Sequence, residues 1–480
     1  MKKLFIFATA AIAFASCSES DLGNIAQENT LEQATAVSFG TYMGESATRA
    51  GTTGSITTES LQTGGTHATD GFAVFAFNTG SSNWATAGSS TAPNFMYNQQ
   101  VKYSGSTWTY DPIKYWPNGI DAANAENTPS NTATDGDTPK LSFFAYAPYV
   151  AATASNGVVT PAENGIIGLT ANNVNGDPKV TYKFKSGSLK EADNVDLLWG
   201  LAGATGYSQA NGTDISDLTV GTNYNVDITK TNTDEKIKFY FKHALAKIGG
   251  ATSTTTSGLK VVADIDDNGS GLTGNGSVDP KTLITINSIT IANGTSGSTS
   301  TVKGGGVFDI ATGTWDLTTE ASDPIEFSNV YKSDDETTSK NAVIWEPATS
   351  PTYNGGWPIA GVQTGTAQNV FSDVTDAIYV IPGAEQTLTV TVQYTVRTND
   401  ANLAAGKTEV VQTITNNVNI GALESNKAYT LVMHLGLTSI KFAAEVAQWN
   451  SNDGETPTET TPSVIWLPSN VVPTPVTQAP

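Results

Sequence analysis

Apolar side chains recur at every second position along much of this chain, a spacing that builds strands rather than helices. In Lys236-Ile237-Lys238-Phe239-Tyr240-Phe241-Lys242, Ile237, Phe239 and Phe241 share one face and the lysines the other. Tyr429, Leu431, Met433 and Leu435 fall on one face, as do Ile440, Phe442, Ala444 and Val446. Residues 388–396 alternate without a break and end on Arg397. Residues 71–77 (GFAVFAF) and 141–147 (LSFFAYA) are apolar on both faces. They predict strands in the middle of a packed sandwich, covered from both sides. Turn pairs separate the runs, among them Asn156-Gly157, Asn175-Gly176, Asn211-Gly212 and Asn293-Gly294. Helical periodicity never extends beyond a few turns, and 191–199 and 243–248 are the nearest candidates for short helices. The pattern predicts an all-β chain of sandwiches with long polar loops.

The chain's 480 residues exceed one compact core, and at about 100–200 residues per domain they predict two or three. The best boundary is the polar stretch at 231–234, ahead of the Lys236 run. It gives an N-terminal sandwich over 50–233 and a C-terminal one over 234–449. Residues 450–462 have the composition of a linker. They lead to a last apolar patch, Val464-Ile465-Trp466-Leu467, and a proline-rich tail ending at 480. A net charge of −21 argues against nucleic acid and anionic lipid headgroups as partners. With 38% hydrophobic and only 14% charged residues, the body has the means to fold.

Cys17 is the single cysteine, so neither a disulfide framework nor a cysteine-based zinc site is available. It follows a basic start, Met1-Lys2-Lys3, and an apolar run over 4–15 that falls short of the ~20 residues a spanning helix needs. Phe14-Ala15-Ser16-Cys17 resembles the bacterial lipobox, so residues 1–16 read as a lipoprotein signal peptide, with Cys17 acylated as the new N terminus; an ordinary secretory signal before an incidental Cys is the other reading. Residues 17–49 then form a lipidated propeptide, with one short candidate strand at Ala36-Val37-Ser38-Phe39. The chain has two arginines. Arg49 lies in a small, polar stretch, the composition of an exposed and cleavable loop. Arg397 ends a strand. A cut between Arg49 and Ala50 is one reading, and a solvated loop cation is the other.

Little in the sequence suggests chemistry. His67, His243 and His434 lie far apart, without the i, i+4 spacing of a helical zinc site. His434 belongs to the polar face of its run. The glycine-rich segment 269–274 matches a dinucleotide fingerprint, but a turn follows it where a helix would have to receive the phosphates. Asp264, Asp266 and Asn268 begin like a calcium loop, yet Asn275 stands where a bidentate Glu belongs. They remain a weak calcium candidate beside the plainer reading of a solvated hairpin tip. No catalytic constellation, cofactor or metal is expected.

Seven segments, in order, resemble the fimbrillin family of Bacteroidia, subunits of type V pili. They are 71–77, Trp108 to Pro117, 141–149, Asp196-Leu197-Leu198-Trp199, 241–248, 427–431 and Val446-Ala447-Gln448-Trp449. The resemblance implies two tandem transthyretin-like β-sandwich domains and export as a palmitoylated outer-membrane lipoprotein. It further implies removal of the N-terminal segment by an Arg-specific protease and assembly into an extracellular fimbrium that supports cell adhesion. Partners would be other pilus subunits, self or paralogous, joined by β-strand addition, and a host or bacterial surface ligand. The apolar patch 464–467 is the candidate donor strand, with the Ile440 strand as the alternative. Because a tail extends past Trp449, a stalk subunit is favoured over a tip adhesin. A monomeric glycan-binding surface lipoprotein, using aromatics such as Trp84, Trp108 and Trp357, is the rival from another class.

Overall fold

The computed structural model describes residues 36–42, 56, 58–62, 70–117, 139–160, 164–186, 189–200, 225–229, 236–248, 259–264, 273, 282–293, 303–317, 326–327, 343–345, 368–369, 377–383, 386–399, 402–404, 406–421, 423–435, 440–448 and 463–466. The protein is all-β: the described strands form four sheets, and the described helices are short, chiefly α1 (Thr58–Gln62) and α2 (Trp84–Ala87).

The first sheet has the order β1 (Phe39–Tyr42), β9 (Ile237–His243), β8 (Leu198–Gly200), β5 (Leu141–Ala147), β2 (Phe72–Asn78), β3 (Met96–Ser104), β4 (Thr107–Thr109). Its neighbours are antiparallel except β1 and β9, which run parallel. A second sheet has the order β14 (Thr314–Asp316), β13 (Gly305–Asp309), β7 (Lys179–Lys183), β6 (Gly165–Leu169). In the third, β15 (Glu326–Phe327), β12 (Thr282–Asn293), β19 (Gln386–Asn399) and β20 (Lys407–Gly421) lie in sequence, and β16 (Val343–Trp345) also pairs with β12. The fourth is built around β21 (Lys427–Leu435). One side of β21 carries β22 (Ile440–Gln448) and then β23 (Ser463–Trp466). Its other side is shared by β10 (Ala246–Ile248) and β11 (Leu259–Ala263), flanked by β18 (Ile378–Val380) and β17 (Gln368–Asn369).

The doubly apolar runs are where their sequence predicts. Every residue of β5 is buried, and so are the first six of β2. Phe72, Val74 and Ala76 join Phe143 and Ala145 in one core cluster, while Ala73, Phe75 and Phe77 join Phe144 and Tyr146 in a second, on the opposite face. At about 1.5–3 kcal/mol for each fully buried large apolar side chain, the two faces hold this sheet between its neighbours. In β19, Leu388, Val390, Val392 and Tyr394 are buried and Thr389, Thr391 and Gln393 are not, as the alternation predicts.

Two candidates need correction. The candidate helix at 243–248 is absent: β9 ends at His243, the chain bends through Ala244 and Leu245, and β10 begins at Ala246. Pairing of β10 with both β18 and β21 outweighs the weak local preference. The stretch 191–199 holds only a single turn of 3-10 helix, Glu191–Asp193, before β8. Strand pairing also runs across the 233/234 position. β9 lies beyond it yet pairs with β8 and β1 in the first sheet, and β13 pairs with β7 across it.

Candidate functional site

β1 lies at the end of its sheet, paired along one edge with β9, and the residues just ahead of it are fastened to a second segment. Its residues Phe39, Gly40, Thr41 and Tyr42 stand opposite Ile237, Lys238, Phe239 and Tyr240, and the Ile237 amide donates to the Ser38 carbonyl at 2.8 Å. Ahead of β1, the Val37 amide donates to the Lys114 carbonyl at 2.9 Å, and Ala36 bridges Tyr115. The Tyr110 hydroxyl donates to the Val37 carbonyl at 2.8 Å and accepts from the Lys114 amide at 3.2 Å. Burial raises the pKa of this phenol above its ordinary value, against the hydrogen bond from the Lys114 backbone.

Alternation decides which β1 side chains enter the core. Val37 and Phe39 are each 1% exposed. The Phe39 ring stacks on Phe239 at 6.0 Å and lies 5.2 Å from Tyr110, 6.1 Å from Phe143 and 6.4 Å from Phe72. Ile56 and Leu61, downstream of Arg49, are buried in the same cluster. The short strand expected at 36–39 is thus present with its inward pair intact, although regular pairing occupies 39–42. Taking β1 away would strip one edge of β9 of its hydrogen bonds and empty the space of two core side chains.

Beside this site sits a buried polar cluster that the sequence did not bring together. Asp196 Oδ2 accepts from the Ile56 amide at 2.9 Å and lies 2.7 Å from His243 Nδ1. A second pair joins His434 Nδ1 to Asp264 Oδ2 at 3.1 Å. His434 is therefore not on a solvated face: it is 1% exposed, because both faces of β21 are covered. The same contact turns the calcium candidate Asp264 inward, at 1% exposure. Among the described residues no group of three or more His, Cys, Asp or Glu could hold a metal ion.

Cys17, Arg49, Ala50, Asp266, Asn268 and Leu467 lie outside the described residues. Arg397 stands within β19, opposite Leu283 of β12 and Glu409 of β20. Val464, Ile465 and Trp466 belong to β23, which pairs with Glu445, Ala444 and Ala443 of β22 in the same chain. The tail segment thus has a seat in its own fold, at the edge of the fourth sheet. Of the tryptophans considered as a sugar platform, Trp84 packs on Phe77 at 4.7 Å and Phe144 at 5.0 Å. Trp108 packs on Phe72 at 4.9 Å and Tyr103 at 5.3 Å. Trp357 lies outside the described residues.

No family model matches the chain. A crystal structure of a fimbrial protein from Bacteroides vulgatus superposes with a TM-score of 0.52, covering 86% of this chain and 99% of that one at 21% identity. That likeness concerns the fold. Fimbrium subunit Fim1C of Phocaeicola vulgatus is 31% identical over 145 residues, 29% of this chain. That similarity supports the resemblance to the fimbrillins of Bacteroidia. The match spans 32% of the length of that curated relative. In this chain the strand that precedes Arg49 is part of the folded sheet, and the chain beyond Arg49 supplies the rest of the core around it.

Proposed function

We propose that the protein is a structural subunit, of stalk type, of a surface fimbrium, with no catalytic role. It is exported as an outer-membrane lipoprotein through acylated Cys17 and cut between Arg49 and Ala50. It then polymerises when a strand from the next subunit takes the position of β1. The observation that carries this reading is β1 itself. A strand from ahead of Arg49 is paired along β9, is preceded by residues 36 and 37 bonded to Lys114 and Tyr115, and with Val37 lends Phe39 to the core. Its loss leaves unpaired amides and carbonyls along β9, which an incoming strand satisfies by β-augmentation. Head-to-tail contacts of that kind propagate as filaments. The linker composition of 450–462 would let the apolar segment 464–467 leave its pairing with β22 and serve as a C-terminal donor to the next subunit.

The test is to treat the purified precursor with an Arg-specific protease and follow products by N-terminal sequencing and electron microscopy. A product beginning at Ala50 and the appearance of filaments are expected, with neither in Arg49→Ala. Filaments from Arg49→Ala as abundant as from the wild type would rule the reading out.

A further inference from the structure

Three groups from distant parts of the sequence meet at the buried carboxylate of Asp196, which is wholly inaccessible. The Ile56 amide, seven residues beyond Arg49, donates to Oδ2 at 2.9 Å. His243, whose Nδ1 lies 2.7 Å from the same oxygen, is the last residue of β9 and stands opposite Leu198 in the ladder. Asp196 Oδ1 is buried without a hydrogen-bond partner among the described residues. Both contacts thus fall on one oxygen, a backbone amide on one side and an imidazole on the other.

We propose that Asp196 is a positioning residue for strand exchange, a latch that fixes the segment after Arg49 to the end of β9 while β1 leaves and its replacement enters. The inference rests on the fimbrial reading above. A cut at Arg49 severs the upstream connection of Ile56 and Leu61, which line the same cluster as Phe39 and Val37. These two buried side chains then belong to the cluster that Phe39 and Val37 vacate. Without a restraint the new N terminus would follow β1 outward or slide into its place and compete with the incoming strand. Breaking the Asp196 contacts would leave a buried carboxylate uncompensated, so the restraint holds even when the surrounding apolar contacts are weakened. The same carboxylate fixes His243, and with it the strand whose edge the newcomer must match.

Hydrogen exchange on the full-length chain, before and after cutting with an Arg-specific protease, tests the latch in Asp196→Asn and His243→Gln. In Asp196→Asn the Ile56 amide should exchange about tenfold faster than in the wild type even in the uncut chain, the worth of a charge-assisted hydrogen bond. A smaller rise is expected in His243→Gln, which leaves the Ile56 contact in place and serves as the deciding variant if Asp196→Asn does not fold. After the cut, both variants should assemble into fewer filaments while Arg49 is cleaved at the wild-type rate. Unchanged exchange at Ile56 in the folded variants would overturn the latch. Faster exchange with undiminished assembly would overturn its positioning role. The uncut arm does not depend on cleavage, so a wild type that is never cut would count against the fimbrial reading while Ile56 exchange still decides the latch.

Discussion

Phe39 concentrates much of what β1 contributes, because four aromatic rings surround it. Phe39→Ala should cost the uncut precursor about 3–5 kcal/mol, the usual penalty for emptying an aromatic site. The cut protein, once freed of β1, should be indifferent to the substitution. Denaturant titration of both forms measures the difference. Asp177 offers a pH-dependent counterpart. Its pKa is raised, chiefly by burial and then by Asp309, against the opposing pulls of Lys179 and Trp84. The fold therefore favours the protonated form, and ionisation works against it as pH rises through the raised value. Asp177→Asn should melt slightly higher than the wild type at pH 7, with the gap closing as pH falls through the carboxylate range. Phe39 could be read from the sequence because it stands two residues from Val37, inside a local pattern. The Asp196 cluster could not. Ile56, Asp196 and His243 are separated by 140 and 47 positions, and nothing in the composition near any of them points to the others.

Among elements, β19 holds the second of the chain's two arginines inside a sheet. Arg397 belongs to a strand paired on both sides, so its backbone cannot enter a protease cleft without opening β12 or β20. Brief digestion of the folded chain with an Arg-specific protease should give one main product starting at Ala50. Prompt cleavage after Arg397 would mean that β19 is not held as described. β23 tests the donor assignment. Deleting residues 463–480 removes a strand that in this chain pairs only with β22 among the described residues. The truncated protein should fold, be cut at Arg49 and fail to polymerise. Filaments at wild-type yield would pass the donor role to the Ile440 strand. The strands were legible because alternation survives in any sheet. The 243–248 segment was not, since Ala, Leu and Ile fit a helix or a buried strand equally well in so short a run.

For the whole molecule, sheet membership crosses the composition boundary. The polar stretch at 231–234 is a loop signal, and the alternation of β9 reads the same whichever sheet it joins. Only the pairing partners, β8 and β1, reveal where it belongs. A fragment covering 50–233 lacks β9 as well as the β13 partner of β7. Expressed alone, it should lose the near-ultraviolet circular dichroism of packed aromatics and exchange its β5 amides rapidly. A fragment that kept a native-like exchange pattern would show that the first sheet is complete without β9.

The seating of β1 also has a mechanical side. Tension along a chain of such subunits would pull a seated strand lengthwise along β9, with which β1 runs parallel, while residues 36 and 37 ahead of it hold the Lys114–Tyr115 backbone. Evenly spaced bonds loaded along the strand share the pull, whereas a strand peeled sideways gives them up one after another. The same groove that admits a partner by pairing backbones would then grip it hardest when the fibre is stretched.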